Sequence, residues 1–306
     1  MVEVFENYNI KNDSTFKIGG IVKKVVIPDS VDELVELLKS QEYDMVLGNC
    51  SNVLFSSGKI NKNIILTKNI NSYRLDDNRV YVQCGTLGSV VSKEAADKGL
   101  TGFEFLIGFP GSFGGMIYMN ASAHNQSIAD TFASARVFDC SSLDVINYDK
   151  EQMKFEYRKS CLNLKKCVLL DAVFELKQGN KEEILEIMKR NTDFRKERQP
   201  SLKFGNAGSV FKNPQNDSAG RLLDLCNLKG MQEGGAKVFE NHANFIINYN
   251  NATSEDVLTL MYKMYSAVRE KYRIKLEPEI KYIGDEDTKE YKLWQIMTEN
   301  IPQMLK

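Results

Sequence analysis

The chain has 306 residues, with 40 basic and 41 acidic side chains and a formal net charge of −1 at pH 7. This length can bury a sizeable core and is typical of two or three domains, whereas the balanced charge makes nucleic acid or an anionic membrane an unexpected main partner. Six cysteines without a C-x-x-C pair and only two histidines favour buried, reduced thiols and no metal site. No basic N-terminal region leads into an apolar core, so a cytoplasmic protein is expected.

The N-terminal part predicts a strand, a helix and a second strand in succession. Residues 23–27 form a β-branched run that stops at Pro28, and Ser30 and Glu33 have the spacing of a capping box, which satisfies amide donors at a helix start. Apolar residues then recur at helical spacing, and residues 44–47 return to a strand pattern. Further strands are predicted at 64–66 and 79–83, and an amphipathic helix at 87–98, closed by Gly99.

A small polar turn follows the strand predicted at 44–47 and consists of Gly48, Asn49, Cys50, Ser51 and Asn52. Successive amide groups in such a turn can form an anion-binding nest, to which the serine and asparagine side chains add donors. An ordinary surface turn is the alternative, and it is the one that these five residues favour when taken alone.

The most unusual stretch is 103–120 (FEFLIGFPGSFGGMIYMN), in which four of the 20 glycines and Pro110 lie between large apolar residues. Glycine permits positive φ and lets the backbone approach a ligand closely. Because a surface loop of this composition would normally have polar flanks, the pattern indicates backbone wrapped against something inside the protein. A nucleotide-type cofactor is one interpretation, and a tight core turn is the other.

The second half of the chain predicts more strands and helices and one domain boundary. Strands are expected at 133–139 and 168–176, and a helix at 180–199 that ends at Pro200. Small residues dominate 204–214, so a C-terminal domain is expected to begin close to there. Within it, helices are predicted at 219–225 and 253–272, strands at 236–239, 244–248 and about 276–280, and a helical patch at 291–297.

Several segments, in fixed order, resemble the UDP-N-acetylenolpyruvoylglucosamine reductases, flavoenzymes of bacterial cell-wall precursor synthesis. They span about residues 12 to 284, and are 12–20 (NDSTFKIGG), 47–54 (LGNCSNVL), 102–120, 157–160 (YRKS), 207–214 (AGSVFKNP), 228–230 (LKG), 234–236 (GGA), 242–248 (HANFIIN) and 276–279 (LEPE). The resemblance implies an α+β fold with two FAD-binding subdomains (1–68 and 69–203), a substrate-binding domain (204–284) and a tail of unassigned role (285–306). The short interval between Arg158 and Ser209 is similar to the shorter, second type of the family.

For the chemistry, the resemblance implies a non-covalently bound FAD that is reduced by NADPH and passes hydride to the enolpyruvyl ether of UDP-N-acetylglucosamine, giving UDP-N-acetylmuramate. Small molecules would be the partners, and a monomer is favoured. The positions that match cofactor contacts are Gly48, Asn49, Cys50, Ser51, Asn52, Gly108, Pro110, Gly111, Ser112, Gly114, Gly115, Asn120 and Ala121.

Three residues match the catalytic positions of this family. Hydride addition leaves an enolate, for which Arg158 would supply a fixed cation. Glu279 would be protonated and hydrogen-bond that enolate, and Ser209 would deliver a proton to C2. The structural alternatives are a surface ion pair for Arg158, a strand-end carboxylate for Glu279 and a turn hydroxyl for Ser209. The positions that match substrate contacts are Lys212, Asn213 and, for the diphosphate, Arg198.

The sequence departs from the family pattern at a few positions near the expected FAD site. Cys50 stands where glycine is usual, so its Cβ is expected to crowd the pyrophosphate. Residues 121–125 (ASAHN) lack two glycines of the usual run, and Ser127 replaces a common acidic residue. These changes leave the catalytic trio intact.

Two other functions compete with the reductase. One is a relative that binds FAD or a UDP-sugar without turnover, which the Cys50 and Ser122 positions would favour. The other is a flavin oxidase acting on a different hydroxylated substrate, against which the 208–214 segment speaks. Retention of all three catalytic positions favours the reductase.

Overall fold

The computed structural model describes residues 2–201 and 203–298, which form α+β architecture. In chain order the strands are β1 (Glu3–Asn9), β2 (Ile21–Ile27), β3 (Met45–Leu47), β4 (Val53–Phe55), β5 (Lys59–Leu66), β6 (Tyr73–Asp76), β7 (Arg79–Gln83), β8 (Leu100–Thr101), β9 (Ser122–Ala123), β10 (Gln126–Ser127), β11 (Phe132–Asp139), β12 (Asp144–Asp149), β13 (Cys167–Glu175), β14 (Lys177–Gln178), β15 (Gln232–Glu233), β16 (Ala236–Val238), β17 (Ile246–Asn248) and β18 (Lys281–Ile283). The helices are α1 (Val31–Ser40), α2 (Gly88–Asp97), α3 (Phe113–Tyr118), α4 (Ile128–Thr131), α5 (Cys161–Leu164), α6 (Lys181–Arg198), α7 (Ala219–Leu225), α8 (Ser254–Tyr272) and α9 (Lys289–Thr298).

The first sheet has the strand order β1-β2-β5-β3, with β5 parallel to both β2 and β3. The predicted strand, helix and strand are confirmed as β2, α1 and β3. At the start of α1 the Ser30 hydroxyl accepts a hydrogen bond from the Glu33 amide (3.2 Å), as the spacing predicts. The Glu33 carboxylate reaches back one residue further than a capping box requires and accepts from the Asp29 amide (2.8 Å).

The second sheet is antiparallel, in the order β12-β11-β13-β7-β6, and the glycine-rich stretch packs against it. The rings of Phe103 and Phe113 lie 5.8 Å apart, and each lies 5.2 Å from the ring of Phe174 on β13. Aromatic side chains of this size contribute heavily to a core. The flanks of the glycine-rich stretch are therefore buried, and α3 begins directly after its loop.

The third sheet, β15-β16-β17, packs with α7 and α8 in the C-terminal part of the chain. The prediction of a strand at about 276–280 is wrong. This segment makes only an isolated bridge between Pro278 and Phe211, whereas the strand proper is β18, which pairs in parallel with β4. Proline has no amide hydrogen to donate to a ladder, so regular pairing starts after it.

The three largest hydrophobic cores among the described residues centre on the first sheet, on the second sheet with α1 to α3, and on α7 and α8. A small fourth cluster joins α2 to α6. The domain boundaries themselves stay a prediction. The helical patch of the tail is confirmed as α9, whose Glu290 accepts hydrogen bonds from Ser56 (2.7 Å), Ser254 (2.6 Å) and Tyr282 (2.5 Å). No helix in the described part of the chain is long and apolar enough to cross a membrane.

Candidate active site

The two glycine-containing segments, predicted separately to hold a cofactor, lie against each other. The Asn49 side-chain amide donates to the Pro110 carbonyl (2.6 Å). A Cβ added to Gly48 would stand 2.1 Å from the Ser112 Oγ, so a larger residue fits there only if the Ser112 hydroxyl turns away. On the other side of the contact, a Cβ on Gly111 would lie 3.7 Å from the Ser51 Oγ. We call residues 48–52 and 108–115 together the cradle.

The cradle fits FAD because it leaves buried polar groups without partners. The Ser112 hydroxyl is buried and has no hydrogen-bond partner among the described residues, and the same holds for the Nε of Arg195. The Arg195 guanidinium lies 4.4 Å from the centre of the Phe109 ring, and the Arg195 Cδ is 3.6 Å from where a Cβ on Gly108 would stand. A phosphate or carbonyl oxygen is the partner that such orphaned donors need.

Arg195 was missed by sequence reasoning, since it lies on α6, which is rich in charged residues, and nothing in the sequence sets it apart. Burial lowers the pKa of Arg195 to about 10. Within the described part of the chain, its two terminal nitrogens make only long contacts, to Gln199 (3.4 Å) and to the Phe105 carbonyl (3.5 Å). A partly buried cation is expensive when, as for Arg195 among the described residues, no carboxylate pairs with it, which is consistent with a ligand beside it.

A cavity of about 400 Å³ opens beside the cradle. The Thr15 hydroxyl closes one wall by donating to the Asn206 carbonyl (2.9 Å), and Lys68 forms an ion pair with Asp13 (2.6 Å) on another. The 12–20 segment matched the family pattern, yet no site residue was predicted there. The lining comprises Asn12, Asp13, Ser14, Thr15, Lys17, Gly48, Asn49, Leu66, Lys68, Pro110, Phe204 and Asn206.

The predicted catalytic residues converge at the other end of the cradle. The Arg158 Nε donates to a carboxylate oxygen of Glu279 (2.6 Å), and the two side chains are only 16% and 13% exposed. The Glu279 amide donates to the Val210 carbonyl (2.8 Å), which places Glu279 beside the segment that carries Ser209. From the cradle, the Asn52 side chain donates to the Glu279 carbonyl (3.1 Å). Parallel pairing of β4 with β18 explains this contact, because Asn52 and Glu279 lie just before the two strands.

The protonation of Glu279 depends on opposing influences. Burial is the largest and raises the pKa of the Glu279 carboxyl, and Glu277 raises it further. Arg158 and Lys212 act in the opposite direction, and the net pKa is raised. A carboxyl group of this kind keeps its proton at higher pH than an ordinary glutamate, as a hydrogen-bond donor to an anion must.

Arg158 sits in a tight turn that orients its side chain. Glu156 and Lys159 exchange backbone hydrogen bonds (3.1 Å each), and Arg158 between them has φ +57°, a left-handed conformation that usually favours glycine. Such strain is found most often at functional sites. The guanidinium carbon lies 4.9 Å from the ring centre of Tyr157, whose hydroxyl accepts from the Asn213 amide (3.2 Å). The turn thereby contacts the C-terminal part of the chain.

Ser209 follows Gly208, which has φ +77°, and pairs with Phe245 through a single antiparallel bridge. The Ser209 hydroxyl makes no hydrogen bond to any other described residue, so it is available to a ligand. The predicted substrate residues beside it are already engaged. Lys212 forms an ion pair with Glu277, and the Asn213 side-chain oxygen accepts from the Ala219 amide (3.0 Å).

Some predicted site residues lie elsewhere or are used structurally. Arg198 is exposed at the end of α6, with its guanidinium 4.8 Å from the Phe194 ring centre, and it makes no hydrogen bond to the Arg158 cluster within the described ranges. Asn120 donates to the Glu156 carbonyl (3.0 Å) and accepts from the Ala129 amide (3.2 Å), so its side chain holds the fold. Ala121 is buried in the second core.

Cys50 does not stand over the cavity. Its side chain is 5% exposed and belongs to the first core, although its backbone has φ +45°. Burial raises the pKa of its thiol to about 12. This packing does not support the expectation that the Cβ of Cys50 crowds a pyrophosphate, and it also weakens the case for a relative that only binds.

The other departures from the family pattern have local explanations. His124 and Asn125 both have positive φ (+53° and +61°) and form the two-residue turn between β9 and β10, a geometry that asparagine tolerates. Ser127 caps α4, since its amide donates to the Asp130 carboxylate (2.7 Å) within a capping box. Ser122 accepts a hydrogen bond from the Arg158 Nη1 (2.8 Å).

Comparisons with known proteins show the family of this chain. Residues 22–142 match the FAD binding domain family, and residues 199–283 match the C-terminal domain of UDP-N-acetylenolpyruvoylglucosamine reductase. The reductase of Caldicellulosiruptor bescii is 42% identical over 293 residues, which is 94% of this chain and 93% of that protein, and the Bacillus subtilis reductase is 38% identical, covering 92% of this chain and 94% of that protein. The crystal structure of the Thermus caldophilus reductase superposes with a TM-score of 0.78 at 33% identity, covering 92% of this chain and 98% of the other. The chain belongs to the UDP-N-acetylenolpyruvoylglucosamine reductase family.

Proposed function

We propose that this protein reduces the enolpyruvyl ether of UDP-N-acetylglucosamine to UDP-N-acetylmuramate with NADPH as the electron source, and that Arg158, Glu279 and Ser209 carry the chemistry on the substrate. FAD, when bound, supplies the hydride. The observation that carries the proposal is the convergence of three distant segments, since Arg158 pairs with Glu279 (2.6 Å) and Glu279 is hydrogen-bonded to the residue after Ser209. This constellation lies next to a cradle that suits FAD.

The cradle would hold FAD through backbone amides of the Gly48 turn and through the segment from Gly108 to Gly115. The hydroxyl of Ser112 and the Nε of Arg195 would find their missing partners there. Glycine at position 48 keeps the two segments in contact. These roles rest on the orphaned donors and on the lack of space for a Cβ.

Arg158 would bind the substrate carboxylate and stabilise the enolate that forms when hydride adds to the enolpyruvyl group. Its pairing with Glu279 does not cancel this charge if Glu279 is protonated, and burial favours that form. A cation fixed beside the developing negative charge stabilises the transition state without rearrangement. Neutral Glu279 would add a hydrogen bond to the same enolate.

Ser209 would complete the reaction by giving its hydroxyl proton to C2. A donor for this step must be free of other partners, and no described residue accepts from this hydroxyl. Arg198, exposed at the end of α6, would meet the diphosphate, and Lys212 and Asn213 would border the sugar. Because Lys212 and Asn213 already have partners within the protein, their contacts with the substrate would matter less than those of Arg158, Glu279 and Ser209.

The visible spectrum of the purified protein tests the function directly. We expect flavin absorbance that bleaches with NADPH under anaerobic conditions and returns when the enolpyruvyl UDP-sugar is added. A protein that cannot be reconstituted with FAD, or whose reduced flavin is not reoxidised by this substrate, would contradict the proposal.

Ser209→Ala separates the two half-reactions. Flavin reduction by NADPH should stay within about twofold of the wild type, whereas reoxidation by the substrate should slow by about 100-fold or more, the usual scale of general acid catalysis. Stopped-flow absorbance measures both rates. Ser201→Ala, at an exposed serine of the preceding loop, is the matched control. An equal loss in both half-reactions would remove Ser209 from the role of proton donor.

A further inference from the structure

The catalytic arginine has a hydrogen-bond partner that no role above explains. Arg158 Nη1 donates to the Ser122 hydroxyl (2.8 Å), while Nε of the same guanidinium donates to Glu279 (2.6 Å). Nη2 makes no hydrogen bond to a residue in the described ranges. The guanidinium is therefore held on two sides by one neutral and one acidic acceptor.

Other hydrogen bonds, each from a side chain to a backbone carbonyl, already join the segments that carry the two residues. Asn120 donates to the Glu156 carbonyl (3.0 Å), and the Ser160 hydroxyl donates to the Tyr118 carbonyl (3.1 Å). These bonds lie on both sides of the Arg158 turn. The bond between Ser122 and Arg158 is thus not needed to dock the turn, and its specific effect is on the direction of the guanidinium.

Direction matters here because an N–H group binds a carboxylate well only when it points at it, and Nη2 is the nitrogen of this guanidinium that has no partner in the described ranges. The turn, in which Arg158 has φ +57°, sets where its long side chain begins, whereas the direction of its guanidinium depends on lateral contacts. Ser122 supplies such a contact without adding negative charge. An acidic residue at this place would compete with the substrate carboxylate for the same cation.

We propose that Ser122 is a positioning residue, whose hydroxyl turns the guanidinium of Arg158 so that its Nη2 edge faces the carboxylate of the substrate. This inference rests on the proposed function. It assigns a task to a residue at one of the positions where the sequence departs from the family pattern. Ser122 acts through Arg158 and not on the reacting atoms.

The test uses the FAD-loaded enzyme and two variants that remove the hydroxyl, Ser122→Ala and Ser122→Gly, with Ser122→Thr to restore it. We expect Ala and Gly to raise KM for the enolpyruvyl UDP-sugar and to slow reoxidation by about tenfold, as for a misoriented binding group. Flavin reduction by NADPH, the flavin spectrum and the FAD Kd should stay within about twofold. The Thr variant should recover most of the loss.

Ser127→Ala is the control, since Ser127 pairs directly with Ser122 across the β9–β10 hairpin and does not contact Arg158. In an Arg158→Lys background, Ser122→Ala should have no further effect, because coupled residues are not additive. Provided that the wild type turns over, three outcomes would overturn the inference. Ser122→Ala could react as fast as the wild type, Ser127→Ala could cause the same loss as Ser122→Ala, or the loss caused by Ser122→Ala could persist in the Arg158→Lys background. A wild type whose flavin is not reoxidised would instead defeat the proposed function.

Discussion

The cradle and the cluster around Arg158 lie next to each other but are built in opposite ways. The cradle depends on missing atoms, since a Cβ at position 48 would stand 2.1 Å from the Ser112 Oγ. The cluster depends on side chains from distant segments, joined by the Arg158 pair with Glu279 (2.6 Å) and by its bond to Ser122 (2.8 Å). The cradle should therefore fail through added volume, and the cluster through changed charge or direction.

The largest effect that would sharpen this contrast is expected from Gly48→Ala. Overpacking of this kind costs about 1–3 kcal/mol, and if the whole cost falls on FAD binding, the FAD Kd is about 5- to 150-fold higher. Isothermal titration with FAD and thermal unfolding with and without FAD measure the loss. Gly58→Ala is the control, because a Cβ there would meet only the Ser56 Oγ at 3.7 Å.

A second variant shows whether volume is the cause. Ser112→Ala removes the atom at 2.1 Å and leaves the nearest Ser112 atom at 3.4 Å from the new Cβ. Added to Gly48→Ala, it should restore thermal stability while leaving FAD affinity below that of the wild type, since the orphaned hydroxyl is lost. A double variant that is no more stable than Gly48→Ala would contradict the steric explanation.

In the cluster around Arg158, changing a charge near Glu279 should shift the pH dependence of reoxidation by the substrate without abolishing turnover. With neutral Glu279 as the active form, reoxidation by the substrate is fast below the pKa of Glu279 and slows as the pH rises through it. Glu277 raises this pKa and Lys212 lowers it. Glu277→Gln should therefore shift the alkaline limb to lower pH, and Lys212→Met to higher pH. Stopped-flow rates at saturating substrate across the alkaline limb measure the two shifts, and shifts in the same direction would show that Glu279 does not control them.

The smallest effect is expected from Cys50→Gly, which lies in the cradle turn but faces the first core. Glycine would relieve the strain of the positive φ (+45°), which would stabilise the folded state by about 1 kcal/mol. It would also remove a buried thiol and raise the entropy of the unfolded chain, and these two changes would destabilise the protein by a similar amount. We expect the free energy of unfolding to change by less than about 1 kcal/mol and the FAD Kd by less than about threefold. A tenfold tighter Kd would mean that the side chain does crowd the ligand.

The difference between the two regions also decided what could be predicted from the sequence. Close backbone approach in the cradle could be expected from the sequence, because Gly48 and the four glycines of residues 108–115 are visible in the chain and their effect is local, whereas the contact between the two segments was not predicted. Helices α1, α7 and α8 were likewise predicted closely, since their apolar spacing and caps lie within a few residues.

The cluster could be predicted only through family resemblance, because Arg158 and Glu279 meet through sheet topology and have no local signature. Arg195 and Ser122 were missed for the same reason. Strand β1 was missed because almost all of its residues are exposed, so it lacks the alternation that indicates a strand. At 276–280 the apolar and β-branched residues predicted a strand, but the observed strand β18 begins only at Lys281, because Pro278 prevents regular pairing before it.

The parallel pairing of β4 with β18 has a consequence for how the protein is made. Asn52 and Glu279, joined across this pair, are separated by 227 positions. Contacts of such high sequence separation close large loops and form late in folding. On the ribosome, the cradle turn is synthesised long before its partner emerges, so a nascent chain contains both segments of the cradle well before it can assemble the cluster around Arg158.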